Sequence, residues 1–287
     1  MFLPALLAAA ALAAPQLAPL WVEPKDLEAR DLVHGAGGAA AAPKEGEAFR
    51  LESKESGGHS DGYYVYGADG RKWKVKTGDE AAAEVAVSRL LWAIGYRQPV
   101  LYYVKDWRIS GGAEERPGPG RFRLVSDHDA KGEWAFDDNP FAGTRELNGL
   151  IAVNLLLNNW DLAPSNNRIY EVGKQKERWY VVQDVGGALG KTRWPIGSRN
   201  DIEDFESQRF VLGVKDGRVR FDYHARHKKL LRALTSDDVV WACRLLGRLS
   251  DRQLADAFRG AGYPTEVGAR YVKKIRAKID EGRALAR

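Results

Sequence analysis

The feature that most constrains the fold is a strongly apolar helical stretch, ELNGLIAVNLLLNNW, at residues 146–160. Apolar side chains surround most of this helix, so a stable fold must bury it on most sides. The chain has 287 residues, of which 44% are hydrophobic, and this is ample for the core that such a helix requires. We therefore expect the chain from about residue 143 onward to be mainly helical.

Strand patterns dominate the chain before that helix. We predict β-strands in YYVYGADGRKWKVK at 63–76, which is a hairpin around a Gly-Ala-Asp-Gly turn, and in VLYYVKDW at 100–107 and RFRLV at 121–125. Between them a helix starts after Asp79 or Thr77 and ends at Gly95. The predicted fold class is α+β, with a small β-rich N-terminal part carrying one helix and a larger, mainly helical C-terminal part.

The C-terminal part contains one further hairpin pattern before it becomes wholly helical. RIYEV at 168–172 and RWYVVQDV at 178–185 flank the polar turn GKQKE, and residues 225–285 are helical. We place the domain boundaries at 1–20 (signal peptide or anchor), 21–47 (linker), 48–126 (N-terminal lobe) and 127–287 (C-terminal lobe).

The N-terminal residues predict export. No charged side chain precedes Glu23, ALLAAAALAA at 5–14 has the length of a signal-peptide apolar region, and Ala-Leu-Ala at 11–13 offers a cleavage site. Either a cleaved signal or an uncleaved anchor fits, and membrane contact is expected only for the anchor. Cys243 is the single cysteine, so the chain forms no intramolecular disulfide. This composition agrees with a bacterial periplasmic or extracellular protein.

The charge distribution argues against a nucleic-acid binder. The 44 basic and 39 acidic residues are interspersed, giving a net charge of +5. The densest basic run, at 270–283, has apolar residues at helical spacing and reads as an amphipathic helix with a solvated basic face. A modest attraction to phosphate-bearing partners is all that this charge supports.

Three oxygen-bearing residues form the pattern that carries chemistry. Asp161 follows the buried helix, Asn166 comes five residues later before a strand, and Asp184 ends the second strand of the hairpin, before Gly186. The hairpin brings residues 166 and 184 together. Phosphoryl transfer needs a carboxylate to orient or deprotonate the attacking hydroxyl, and oxygen ligands to hold Mg²⁺ against the phosphates.

The N-terminal part supplies a cation for such a site. Alternation along KWKVK places Lys72, Lys74 and Lys76 on one strand face. A lysine on that face pairs with phosphate oxygens if a helix carboxylate holds it, and Glu84 lies one turn into the next helix. The structural alternative is an exposed edge strand, with Glu84 as a first-turn acid favoured by the helix dipole.

These segments resemble the atypical branch of the protein-kinase-like superfamily: phosphatidylinositol kinases, HipA-type kinases and secretory-pathway kinases. Asp161-Leu-Ala-Pro-Ser-Asn166 is similar to their Asp-Arg-His-x-x-Asn loop, Asp184-Val-Gly186 to their Asp-Phe-Gly, and the helix from Glu84 to Gly95 to their helix with the conserved acid. The chain also resembles a group of bacterial exported proteins of unassigned activity, through WKVKTGDEA, NNWDLAPSNN and IEDFESQ. The kinase-like resemblance covers about 55–190.

The resemblance implies a bilobal kinase-like fold with ATP as co-substrate and Mg²⁺ or Mn²⁺ as cofactor. It makes Asp161 the catalytic carboxylate, Asn166 and Asp184 the metal ligands, and Lys76 the phosphate contact with Glu84 as its partner. Lys74 is the alternative to Lys76. Three glycines form the only plausible phosphate-covering loop: Gly57, Gly58 and Gly62.

The chain departs from the family pattern at the catalytic loop, where Leu162 and Ala163 replace the Arg-His pair and remove a cation. Two functions therefore stay open. One is a kinase acting on a hydroxyl of a protein, lipid or glycan, and the other is an exported pseudokinase that binds a nucleotide or a partner. GALGKT at 187–192 lacks the first glycine of a P-loop, because Val185 occupies its position.

Overall fold

The computed structural model describes residues 16–55, 61–110, 115–125, 128–193 and 197–286, except for the side chains of residues 128 and 129. Gly57 and Gly58 of the predicted phosphate-covering loop lie outside these residues, as does most of the predicted export segment. None of the helices in the described ranges is both long and apolar enough to cross a membrane.

The N-terminal part is built on a six-stranded sheet with the order β4-β6-β3-β2-β1-β5. Every neighbouring pair is antiparallel except β1 and β5, which are parallel. The strands are β1 (Glu47–Glu55), β2 (Gly62–Tyr66), β3 (Lys72–Thr77), β4 (Leu101–Val104), β5 (Trp107–Ser110) and β6 (Gly120–Leu124). The predicted single strand at 100–107 is thus two strands, because the chain turns at residues 105 and 106.

The two faces of this sheet differ in chemistry because side chains alternate along each strand. On one face, aromatic rings pack edge to face in a core of their own, which includes Phe49, Trp73, Trp107 and Phe122. The other face carries the lysines of β3 and is crossed by helix α1 (Glu80–Ala93). Polar groups therefore line the side of the sheet that faces the rest of the molecule.

Helix α1 is buried on nearly every side, which agrees with its run of small and apolar residues. Asp79 occupies the N-cap position, although its side chain makes no capping hydrogen bond. The helix ends before Gly95, whose φ of 102° favours glycine. A Cβ at Gly95 would lie 2.2 Å from the Val22 carbonyl oxygen, so the N-terminal arm packs directly against this turn.

The prediction that residues 21–47 form a linker is wrong. The segment contains short 3₁₀ turns at 27–29, 35–37 and 39–41, and Leu27 and Leu32 are buried in the main hydrophobic core. Leu20 is also fully buried in that core. The alanine- and glycine-rich composition of the segment gave no sign of this packing, because only a few isolated leucines make the core contacts.

The C-terminal part is mainly helical, as predicted. Its helices are α2 (Arg145–Leu156), α3 (Ile202–Ser207), α4 (Lys228–Leu231), α5 (Ser236–Leu246), α6 (Asp251–Arg259) and α7 (Thr265–Arg283). Ten of the twelve residues of α2 are buried, and its N-cap Thr144 accepts a hydrogen bond from the Leu147 amide. The helix sits at the centre of a core shared with α1 and the N-terminal arm.

Two small sheets complete this part. Strands β7 (His128–Gly132), β8 (Asn167–Val172) and β9 (Glu177–Val182) form an antiparallel sheet, of which the β8–β9 hairpin was predicted. Strands β10 (Val211–Lys215) and β11 (Arg218–Phe221) pair as a separate hairpin that the sequence analysis did not identify. The molecule is thus an α+β protein with a β-rich N-terminal and a helical C-terminal part, which confirms the predicted fold class.

Candidate functional site

A cleft of about 950 Å³ lies between the six-stranded sheet and the C-terminal part. Its walls come from β1, β3 and β6 on one side and from the 160–168 segment and the end of β9 on the other. The residues predicted for chemistry that line it are Gly62, Lys74, Lys76, Asp161 and Asp184. Residues more than 100 positions apart in the chain thus meet in one space.

Lys76 reaches across the cleft from β3. Its Nζ lies 3.2 Å from Oδ2 of Asp184 and 2.5 Å from Oε2 of Glu80. Glu84, the partner expected from the sequence, is farther away, with Oε2 at 3.9 Å from the ammonium nitrogen. Glu80 takes the closer position because it is four residues after Lys76, at the start of α1.

Glu84 instead pairs with a cation that the sequence analysis missed. Its Oε1 lies 3.1 Å from Nε of Arg121 on β6, and both side chains are buried. Burial raises the pKa of the Glu84 carboxyl, and the positive charge of Arg121 opposes this shift. Arg121 lies directly opposite Lys76 in the pairing of β6 with β3. Carboxylates of the single helix α1 can therefore form ion pairs with both cations.

Lys74 and Lys76 are distinguished by their partners. Lys74 Nζ lies 2.7 Å from Oε2 of Glu55 and over the ring of Tyr64, at 5.1 Å from its centroid. Both lysines line the cleft, but only Lys76 contacts Asp184. Gly62, at the start of β2, pairs with Lys76 in the sheet and is the one predicted loop glycine within the described residues.

The 158–166 loop is held in place by asparagines. Asn158 adopts a φ of 56°, which asparagine tolerates better than most residues, and its side chain donates to the Gly190 carbonyl at 2.6 Å. Buried Lys278 of α7 donates to Oδ1 of Asn158 at 2.6 Å and to the Leu156 carbonyl at 3.0 Å. Oδ1 of Asn159 accepts from the Asp161 amide at 3.2 Å.

Asn166 joins the Asp161 loop to the end of β9. Its side-chain Nδ2 donates to the Asp161 carbonyl at 3.0 Å, and its backbone oxygen accepts from the amides of Gln183 and Asp184 at 2.9 and 3.1 Å. It is not among the residues that line the cleft. The structure thus brings residues 161, 166 and 184 together.

The segment after Asp184 closes one end of the cleft. A Cβ at Gly186 would lie 2.8 Å from Cβ of Glu80, so glycine permits this segment to approach α1 closely. Arg199 pairs with Glu80, and its guanidinium lies over the ring of Trp160, 5.2 Å from the centroid. Nδ2 of Asn200 donates to the Asp79 carbonyl at 2.9 Å.

The oxygen donors of the cleft suit Mg²⁺ or Mn²⁺. Among the described side chains, no group of three or more His, Cys, Asp or Glu residues is placed to hold a metal ion. Mg²⁺ in phosphotransferases is usually held by one or two carboxylates, with phosphate oxygens and water completing the shell. The Asp184 carboxylate, 41% exposed in the cleft, therefore fits a cation that arrives with donor phosphates.

Three solved structures similar to this chain are of kinases. The Helicobacter pylori proinflammatory kinase CtkA has 11% identity and a TM-score of 0.47, over 85% of this chain and 92% of that one. Golgi casein kinase with Mn/ADP bound has 9% identity and a TM-score of 0.43, and a second Golgi casein kinase structure has 9% and 0.40; both cover 85% of this chain and 73% of theirs. No family model and no curated protein matches the chain. We base the functional proposal on the cleft alone.

Proposed function

We propose that the chain is a kinase-like phosphotransferase that moves a phosphoryl group from a phosphate donor, ATP being the first to test, to a hydroxyl of a protein, lipid or glycan. One observation carries the proposal: Lys76, Asp161 and Asp184 line one cleft, and Lys76 from the sheet contacts Asp184 from the opposite side. Electrostatic positioning of this kind is most of what phosphoryl transfer needs from a protein.

Each side chain has a role in the proposed reaction. The acceptor oxygen attacks the terminal phosphorus, the bond from that phosphorus to the bridging oxygen breaks, and the nucleoside diphosphate leaves with the electron pair. Asp161 orients the hydroxyl and takes its proton. Lys76 binds the donor phosphates, and Asp184 would hold the divalent cation. A bound cation supplies positive charge against the phosphate oxygens.

Lys76 has carboxylate partners on both sides of the cleft. Its ammonium group is shared between Glu80 and Asp184, at 2.5 and 3.2 Å. A donor with its metal ion would give both Lys76 and Asp184 new partners of opposite charge, and Glu80 would keep Arg199. Glu80 thus acts as the residue that positions Lys76.

A pseudokinase that only binds a ligand is the second candidate. The Leu162–Ala163 pair favours it, because this pair replaces the Arg-His pair of the similar kinase loops and so removes a cation near the phosphates. Such a protein would bind nucleotide and metal without transfer. The two candidates share the cleft and differ in turnover.

Transfer of labelled phosphate tests the proposal. The purified chain is incubated with γ-labelled ATP and Mg²⁺ or Mn²⁺, and label on protein and free phosphate are counted. We expect wild-type turnover to fall at least 100-fold in Asp184→Asn and in Asp161→Asn. The matched control is Asp216→Asn, an exposed turn residue between β10 and β11. Nucleotide binding without turnover supports the pseudokinase, and neither binding nor turnover contradicts both candidates.

We also propose that the chain is exported. The uncharged apolar start and the Ala-Leu-Ala sequence at 11–13 support this, and Leu20 in the core requires the cleavage site to precede the folded part. Cell fractionation tests it: the expected result is a shortened chain outside the cytoplasm, and a full-length cytoplasmic chain would contradict it.

A further inference from the structure

The sheet face above the cleft has an unusual concentration of cations. In the register between β3 and β6, Lys74 lies opposite Arg123 and Lys76 opposite Arg121. Like charges placed directly opposite each other destabilise a sheet. Such an arrangement therefore needs anions nearby to offset the repulsion.

Three of the four cations have an anionic partner within the protein. Lys76 pairs with Glu80 and Asp184, Lys74 with Glu55, and Arg121 with Glu84. Carboxylates of the protein thus neutralise three of the four cations on this face.

Arg123 differs from the other three. Within the described part of the chain its guanidinium has no ion pair and no hydrogen bond, and its Nη1 is buried without a partner. Burial, with a smaller contribution from Arg121, lowers the pKa of Arg123. The residue as a whole is half-buried, and a cation whose buried Nη1 has no partner is costly, so this group can accept an anion.

A smaller cavity of about 270 Å³ gives Arg123 access to a ligand. It lies beside the main cleft and shares four lining residues with it, namely Lys74, Arg123, Arg168 and Gln183. Its remaining wall consists of Tyr64, Tyr170 and four apolar residues, Pro99, Leu124, Val125 and Ala130. The Tyr170 hydroxyl donates to Oε1 of Gln183. Three cations thus surround a space large enough for a phosphate or carboxylate group.

We propose that this inner pocket is a second anion-binding subsite, in which Arg123, together with Lys74 and Arg168, holds a phosphate or carboxylate group of the cleft's ligand. The link to the donor rests on the proposed function, but anion binding itself does not. Lys74 and Lys76 are two residues apart, which places their positions on the strand about 7 Å apart. The natural ligand would therefore carry anionic groups at both places.

Thermal unfolding with inorganic phosphate tests the subsite. We expect phosphate at about ten times its Kd to raise the Tm of the wild type by about 2 °C. The same rise is expected in Lys76→Met, and no specific rise in Arg123→Met. Arg108→Met, at an exposed position on β5, removes an arginine outside the subsite and should keep the wild-type rise. The rise that remains in Arg123→Met measures the general stabilisation of proteins by phosphate. Malonate in place of phosphate distinguishes a carboxylate ligand from a phosphate ligand.

The outcomes separate this proposal from the proposed function. In phosphate-free buffer Arg123→Met should melt no lower than the wild type, because it removes a partly buried, unpaired charge. An equal phosphate shift in wild type and Arg123→Met, or no shift in the wild type, overturns the subsite. So does a shift that falls as far in Arg108→Met as in Arg123→Met. If Arg123→Met does not fold, Arg123→Lys must keep the shift. Asp184→Asn should lose transfer and keep the phosphate shift, so either proposal can fail alone.

Discussion

At the scale of single residues, two carboxylates of α1 near Lys76 pair with different cations. Glu80, 7% exposed, contacts Lys76 in the cleft, whereas Glu84, 1% exposed, balances the charge of Arg121. The sequence showed that an acid on α1 would face the lysine strand. It could not show which one, because Glu80 and Glu84 are four residues apart and share a helix face.

We predict different effects for the two acids. Glu84→Gln leaves the buried Arg121 without its countercharge and should lower the free energy of unfolding by about 3 kcal/mol. Glu80→Gln should change it far less, because its partners are nearer solvent, but should reduce nucleotide affinity by freeing Lys76. Urea unfolding and nucleotide titration measure these effects. Equal losses of stability in both variants would contradict this division.

Cys243 is predicted to be unreactive in the folded protein. Burial raises the pKa of its thiol to about 12 and the side chain is 1% exposed, so almost no thiolate is available at pH 8. A thiol reagent should label the chain only as fast as the protein opens, with a rate that rises with urea concentration. Rapid labelling without denaturant would show that α5 does not pack as described.

At the scale of elements, helix packing in the C-terminal part depends on close approaches that only glycine allows. In α7, a Cβ at Gly282 would lie 2.2 Å from Sγ of Cys243 in α5. Helix α7 also carries Lys278, which supports the loop before Asp161. The α5–α7 contact therefore helps to position the loop that precedes Asp161.

We predict that Gly282→Ala destabilises the protein by about 1–3 kcal/mol, despite the better helix propensity of alanine. Cys243→Ala in the same chain should recover part of the loss, because it removes the clashing sulfur atom. Gly268→Ala is the matched control in the same helix, where the nearest atom would be 3.3 Å away. Additive losses in the double variant would argue against a direct contact.

At the scale of the whole molecule, the order of elements could be read from the sequence better than their packing. The strands at 63–76, helix α1, the apolar helix α2 and the β8–β9 hairpin follow local periodicity, so they were predictable. The packed N-terminal arm was not, because Leu27 and Leu32 are isolated in a polar and small-residue context. Arg121 and Arg123 were missed as site residues because only tertiary pairing brings them to the cleft.

Metal binding in the presence of nucleotide tests most directly whether the cleft is one phosphate and metal site. Electron paramagnetic resonance measures free Mn²⁺ as the chain is titrated with ATP present. We predict that the wild type and Asp216→Asn remove Mn²⁺ from solution together with ATP, and that Asp184→Asn and Lys76→Met bind the pair at least tenfold more weakly. Equal Mn²⁺ binding by the wild type and Asp184→Asn would contradict the site described here.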